Sequence, residues 1–160
     1  MCNKLIKDYI QKEFNIKNPM SVTLTSHRSH DKQILDDILL SRDITFFLNR
    51  LNYKIYKKGF TRYGKRLGCL TVIEGDGITK NYHTHLTLEK PDHMSDLEYK
   101  SLIFNCWKKT VFGQSNLKFG IKINPVIDEG WLGYQLKNRT KQDNVCSSID
   151  WVNSNNSISE

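Results

Sequence analysis

The stretch that most constrains this chain is Asn81-Tyr82-His83-Thr84-His85-Leu86-Thr87-Leu88-Glu89-Lys90-Pro91, which reads as a β-strand carrying two histidines two positions apart. Side chains of a strand alternate between faces, so His83 and His85 leave the same side, roughly 7 Å apart at the backbone. Two imidazoles converging from one face suit a shared divalent metal ion. A carboxylate commonly completes such a site for a hard ion. Glu89 shares the face but lies roughly 13 Å further along the strand, out of reach of an ion held by both histidines. His93, in a turn beyond Pro91, has the same difficulty. Glu74 does not. It ends an apolar run, Cys69-Leu70-Thr71-Val72-Ile73-Glu74, that reads as the preceding strand, and Gly75-Asp76-Gly77 supplies turn chemistry for a hairpin with a longish loop. Directly opposed residues of a hairpin share a face. The expected ligand set is therefore His83, His85 and Glu74, and its mixed nitrogen and oxygen donors suit Mn²⁺ or Mg²⁺.

The rest of the chain supplies alternating helices and strands. Leu5, Ile6, Tyr9 and Ile10 suggest a short first helix that ends before Asn18-Pro19, and residues 20–25 alternate apolar and polar side chains like a half-buried strand. Asp31 is a candidate cap for a following helix whose apolar stripe is Ile44, Phe47, Leu48 and Leu51, with Ser41 a candidate break. Ser95-Asp96-Leu97-Glu98 has the form of a capping box and starts a helix that buries Tyr99, Leu102, Ile103, Cys106 and Trp107. Residues 119–123 read as a fourth strand. Asp128 or Glu129 then opens a last helix, and residues 144–160, rich in Ser and Asn, read as a flexible tail after a domain over 1–143. This order gives an α+β domain, with helices packed on a mainly antiparallel sheet.

The net charge of +7 describes partners rather than fold. Lys54, Lys57, Lys58, Arg62, Lys65 and Arg66 are interleaved with Tyr53, Tyr56, Phe60 and Tyr63. Cations for phosphates beside aromatic faces for stacking is the composition of single-strand nucleic-acid binders, although a solvated loop with some aromatic packing has it too. Arg62, Lys65 and Arg66 are the candidate DNA contacts. The four cysteines (Cys2, Cys69, Cys106 and Cys146) form no CxxC pair, which excludes zinc-finger spacing, and Cys69 and Cys106 read as small core residues. Charges at Lys4, Lys7, Asp8, Lys12 and Glu13 exclude a signal peptide over residues 1–14, and no apolar run approaches the ~18 residues of a membrane span. The expected location is cytoplasmic, with no membrane partner.

Trp131-Leu132-Gly133-Tyr134-Gln135-Leu136-Lys137 holds the second chemical signal. At 100° per residue Tyr134, Lys137 and Lys141 fall within one ~60° arc, with Leu132 and Leu136 on the opposite side. A phenol is a poor nucleophile at neutral pH, but a neighbouring ammonium favours the phenolate, and a metal can polarise a phosphate under attack. Taken singly, the histidines fit an accidental pair and the tyrosine fits an ordinary surface residue. Together they suggest phosphoryl chemistry.

These residues resemble the HUH endonucleases, and specifically the single-tyrosine rolling-circle replication initiators (Rep proteins) of phages, plasmids and small viruses. The resemblance runs from about Met20 to Lys141. Residues 20–25 are similar to the family's first, Thr-rich strand; His83-Thr84-His85 corresponds to the HUH motif, with Thr84 where the family normally has a bulky hydrophobic residue; Tyr134-Gln135-Leu136-Lys137 matches the Tyr-x-x-Lys motif. The resemblance implies a ferredoxin-like or RRM-like sheet of about five antiparallel strands with the HUH strand central. It implies a metal held by His83, His85 and Glu74, Tyr134 as the nucleophile that nicks single-stranded DNA and keeps a 5′-phosphotyrosine, and Lys137 offsetting charge. Lys141 joins the candidate DNA contacts. The implied partners are single-stranded DNA, as an origin hairpin for example, and a separate helicase and polymerase, since no GxxxxGK[ST] loop is present; the oligomeric state stays open, with a monomer favoured. A single-tyrosine transposase and a non-catalytic single-strand-binding module are the alternatives.

Overall fold

In the computed structural model, which describes residues 2–126 and 148–158, the two strands of the expected hairpin are β4 (Cys69–Glu74) and β5 (His83–Glu89). They join β1 (Pro19–Thr25) and β6 (Ile121–Pro125) in a sheet of order β4-β5-β1-β6, antiparallel throughout. The histidine strand is thus internal. The sheet has four strands among the described residues rather than about five. Its connections run β1 to β4 through α2 (Asp37–Tyr56) and β5 to β6 through α4 (Asp96–Trp107), each passing over one strand. Two interleaved split β-α-β units of this kind make the ferredoxin-like topology.

Alternation sorts the strands into two faces. Met20, Val22 and Leu24 of β1 pair in register with Leu88, Leu86 and Thr84 of β5, and all six are buried. The apolar stripe of α2 (Leu40, Ile44, Phe47, Leu51) covers this face together with Tyr99, Ile103, Cys106 and Trp107 of α4; Leu102 is half-buried at the rim of the same core. Phe47 and Trp107 meet edge-on at 5.8 Å, a packing mode that adds about 1 kcal/mol beyond area burial. Polar contacts fix α4 at both ends: the Ser95–Glu98 capping box starts it, Tyr99 Oη donates to the Glu89 carbonyl at 2.6 Å, and Trp107 Nε1 donates to the Thr25 carbonyl at 2.9 Å.

One local expectation is corrected and two open alternatives are resolved. Asp36 caps α2, its carboxylate accepting from Leu39 N at 2.7 Å, because Asp31 is used elsewhere. Asp31 (φ 45°) and Lys32 (φ 67°) form the two-residue turn between the short strands β2 (Ser29–His30) and β3 (Gln33–Ile34), the doubly positive φ that twist-matched hairpins need. Ser41 does not break α2, which is continuous for 20 residues. Most of the basic-aromatic segment is helical, the end of α2 followed by α3 (Lys58–Tyr63), with Lys65 and Arg66 in the connection to β4.

The tail expected over 144–160 is overturned for residues 148–158. They run along the outer edge of β4, with bridges Val72 to Ile149, Cys69 to Asn155 and Arg66 to Ile158. Cys69 and Asn155 exchange backbone hydrogen bonds at 2.7 and 2.8 Å, and Thr71 Oγ1 donates to the Asn153 carbonyl at 2.8 Å. An open edge strand leaves unpaired donors and acceptors, and a Ser/Asn-rich segment is well supplied with groups to satisfy them. The helix α1 (Cys2–Glu13) lies over the sheet face opposite α2 and α4, where Ile10 is buried with Leu70, Val72 and Ile149. A four-residue helix, α5 (Leu117–Gly120), leads into β6. No described helix is long and apolar enough to cross a membrane.

Candidate metal centre

The hairpin register places Glu74 directly opposite His83, and Val72 opposite His85. Glu74, His83 and His85 therefore share the face that α2 and α4 do not cover, at the end of the sheet where β1 finishes. Glu74 Oε2 lies 3.2 Å from His83 Nε2 and 3.5 Å from His85 Nε2, and the imidazole centroids are 4.9 Å apart with the rings nearly perpendicular. One donor atom from each residue fits within 4.8 Å of the other two, close enough to share a single ion. Among the described residues this is the one such group of histidine, cysteine or acidic side chains. The side chains of His83, His85 and Glu74 keep 30%, 26% and 19% of their exposure, so the group is sheltered yet reachable from solvent.

The far nitrogens of both rings are held. His83 Nδ1 lies 3.2 Å from the Asn81 carbonyl, and an N–H there must donate to it. His85 Nδ1 lies 3.1 Å from Thr23 Oγ1, its partner in the β1–β5 register. A carbonyl acceptor at Nδ1 is the usual support for a metal-binding imidazole, because an ion at Nε2 would replace the second ring proton; the Thr23 hydroxyl can donate or accept, so it orients the His85 ring without fixing its tautomer. The hydrogen bond to Glu74 holds the His83 pKa above its ordinary value, with partial burial acting against it. The donor set and its supports fit a divalent cation.

The loop between the strands is built to hold this geometry. Gly75 adopts φ 110°, and a Cβ there would come within 2.6 Å of the Asn81 carbonyl oxygen, so the chain can close tightly just beyond Glu74 only with glycine. The Asp76 carboxylate accepts from Ile78 N, Thr79 N, Lys80 N and the Thr79 hydroxyl at 2.5–3.0 Å, and these donors hold its pKa well below the usual carboxylate range. A cavity of about 570 Å³ opens beside the ligands, lined on one side by Glu74, His83 and Tyr82 and on the other by Asp37 and Ser41 of α2 and by Asp150.

The other candidates fall elsewhere. Glu89 is spent in structure, accepting from Gly68 N at 2.8 Å and from the Ser157 hydroxyl. Arg62, Lys65 and Arg66 lie before the start of β4, at the far end of the strand from Glu74, which alone spans roughly 17 Å. They are not brought to the metal centre; Arg66 stacks over the Phe60 ring at 5.2 Å. Tyr134, Lys137 and Lys141 lie outside the described residues. Thr84 points to the opposite face, fully buried against the helices, as alternation requires, and its hydroxyl has no hydrogen-bond partner. Sequence reading missed Thr23 and Lys122. Lys122 is exposed and pairs with Thr23, so it shares the ligand face two strands from His85, about 10 Å away across the sheet. The alternation of 20–25 and 119–123 could have placed both on that face, but only the strand order brings them beside His85.

Comparison with known proteins found no matching family model, no matching curated protein and no matching solved structure.

Proposed function

We propose that this chain is a metal-dependent enzyme of the HUH type that nicks and rejoins single-stranded DNA, initiating rolling-circle replication through a 5′-phosphotyrosine intermediate. The observation that carries the reading is the convergence of Glu74 Oε2, His83 Nε2 and His85 Nε2 on one accessible sheet face within an antiparallel ferredoxin-like frame.

Glu74, His83 and His85 would hold Mn²⁺ or Mg²⁺. When bound, the ion supplies Lewis-acid polarisation of the scissile phosphodiester. Tyr134, once ionised, attacks phosphorus; the P–O3′ bond breaks, and its electron pair leaves on the 3′ oxygen, which takes up a proton to become a free hydroxyl. Lys137 offsets the charge on the phenolate and the phosphate. The 3′-hydroxyl attacking the phosphotyrosine reverses these bond changes, so one site both cuts and joins without a nucleotide cofactor. Thr23 and the Asn81 carbonyl hold the two rings at Nδ1, leaving each Nε2 turned toward Glu74 and the ion. Lys122, on the same face, adds positive charge for an incoming backbone.

The test is incubation with a diverse pool of single-stranded oligonucleotides and Mn²⁺, followed by denaturing electrophoresis. A covalent protein–DNA adduct that EDTA abolishes is the expected result. Tight, salt-dependent binding with no adduct across the pool would overturn it in favour of a non-catalytic single-strand-binding module.

A further inference from the structure

Between Ile44 and Ile73 the chain contains seven Lys and Arg residues and no Asp or Glu. Arg50 and Lys54 of these lie on α2 and Lys57 caps its end, and Arg42, just before the run and beside the buried Asp43, adds to them on the surface turned away from the sheet. Arg42, Phe46, Arg50 and Tyr53 fall within one arc of about 80°, opposite the stripe of Leu40, Ile44, Phe47 and Leu51 that enters the core. Lys54 and Lys57 continue the row to the end of the helix. Phe46 and Tyr53 keep 48% and 51% of their surface exposed, more than packing needs, and the Arg50 guanidinium lies over the Phe46 ring at 5.0 Å. Among the described residues none of Arg42, Arg50, Lys54 or Lys57 is ion-paired, and Arg50 Nε is shielded from solvent with no hydrogen-bond partner.

We infer that this outer face of α2 is a sequence-independent binding track for single-stranded nucleic acid, separate from the metal centre. Unpaired cations interleaved with exposed rings match a polyanion with stackable bases; a duplex hides its bases and would use the cations alone. An acidic peptide would use the cations too, but gives no reason for large aromatic faces left in water between them. From Arg42 to Lys57 the row is about 22 Å long, the length of about six phosphates at the spacing of one strand. It begins one residue beyond Ser41, which lines the cavity beside Glu74 and His83. A strand leaving the ligand face at that end therefore meets Arg42 first. The track involves none of the metal ligands and stands whether or not the chain is a nuclease.

The test is fluorescence anisotropy of a mixed-sequence 20-nucleotide single strand and of its duplex, in EDTA, with thermal melts to confirm that each variant is folded. Native protein should prefer the single strand. Arg42→Glu/Arg50→Glu should weaken single-strand binding roughly tenfold or more and reduce the slope of log affinity against log salt by about 1.4. Phe46→Ala/Tyr53→Ala should cost roughly five- to a hundredfold per ring and remove the preference over duplex, with little change in salt slope. Lys12→Glu/Lys17→Glu makes the same change in net charge on and just after α1, and should leave affinity within about threefold. Equal losses in that control and in the arginine variant would overturn the track, as would single-strand affinity unchanged by both α2 variants. Because the readout needs no metal and no cleavage, its failure is distinct from failure to form a covalent adduct.

Discussion

Thr23 Oγ1 stands 3.1 Å from Nδ1 of His85, across the register that makes the two residues partners in neighbouring strands. A threonine more than sixty residues away in sequence thus orients a ring of the candidate metal centre, because β1 inserts beside β5 rather than at the sheet edge. Thr23→Val keeps the shape and the strand propensity but removes the hydroxyl. Its expected effect is a ten- to hundredfold weaker Mn²⁺ affinity by calorimetric titration, with an unchanged melting temperature of the metal-free protein. Unaltered affinity would show that His85 needs no help from β1.

The nucleophile and the ligands should separate in their effects. Tyr134→Phe is expected to abolish the covalent DNA adduct while leaving Mn²⁺ affinity and single-strand affinity within about threefold of native, since a phenyl ring can still stack. His83→Ala should abolish the adduct together with metal binding. A Tyr134→Phe protein that still forms adduct would remove that residue from the chemistry.

Thr84 is fully buried between Leu24 and Ile73 in register, and its hydroxyl finds no partner. Thr84→Val swaps that hydroxyl for a methyl group on an equally β-branched side chain. It should stabilise the fold by about 1 kcal/mol, or roughly 2–4 °C in melting temperature for a domain of this size. A lower melting temperature would mean that the hydroxyl is satisfied in solution.

Residues 148–158 close the outer edge of β4 and bury Ile149, Asp150 and Asn153. The Asn153 side chain donates to Ser41 O at 3.0 Å and accepts from Thr45 Oγ1 at 2.8 Å, tying this segment to α2 as well. A chain ending at residue 147 loses these bonds and exposes the β4 edge. With about 1 kcal/mol net for each hydrogen bond, the expected loss is several kcal/mol in urea unfolding. A truncated protein as stable as the full chain would contradict the packing.

Burial pushes the Cys69 thiol up to about 12 and the Cys106 thiol up to about 11. Both stay protonated in the fold, whereas the unfolded chain ionises them near pH 8.5. Stability is therefore full below that pH and falls as pH rises through it toward the folded values, because the unfolded state releases protons first. Melting temperature should decline between pH 8.5 and 11, and a Cys69→Ala/Cys106→Ala variant, though less stable overall, should show a flatter decline. At pH 8 both thiols should resist iodoacetamide until denaturant is added.

How much was legible in the chain varies with the range of the interaction. The strand character of 69–74 and 83–89, the turn at 75–77 and the Ser95–Glu98 cap are local signals, and each stands where its pattern puts it. Glu74 beside His83 was readable too, because a hairpin converts sequence proximity into a register. Asp31 misled because a capping residue and a turn residue share the same chemistry, and the choice went to the β2–β3 hairpin. Residues 148–158 misled because a polar composition says nothing about partners when those partners are backbone groups of an open strand edge.

The sequence by itself therefore determined the alternation that puts both histidines on one face, the hairpin that brings Glu74 opposite them, and the amphipathic helices that cover the other face. Those features depend on residues a few positions apart, within reach of the periods of helix and strand. Only the tertiary structure decided the order β4-β5-β1-β6, and with it Thr23 against His85, Lys122 on the ligand face, Arg62, Lys65 and Arg66 at the far end, and residues 148–158 along β4. Strand order is set by how two crossover helices pack over a shared core, a sum of many long-range contacts that no local pattern encodes.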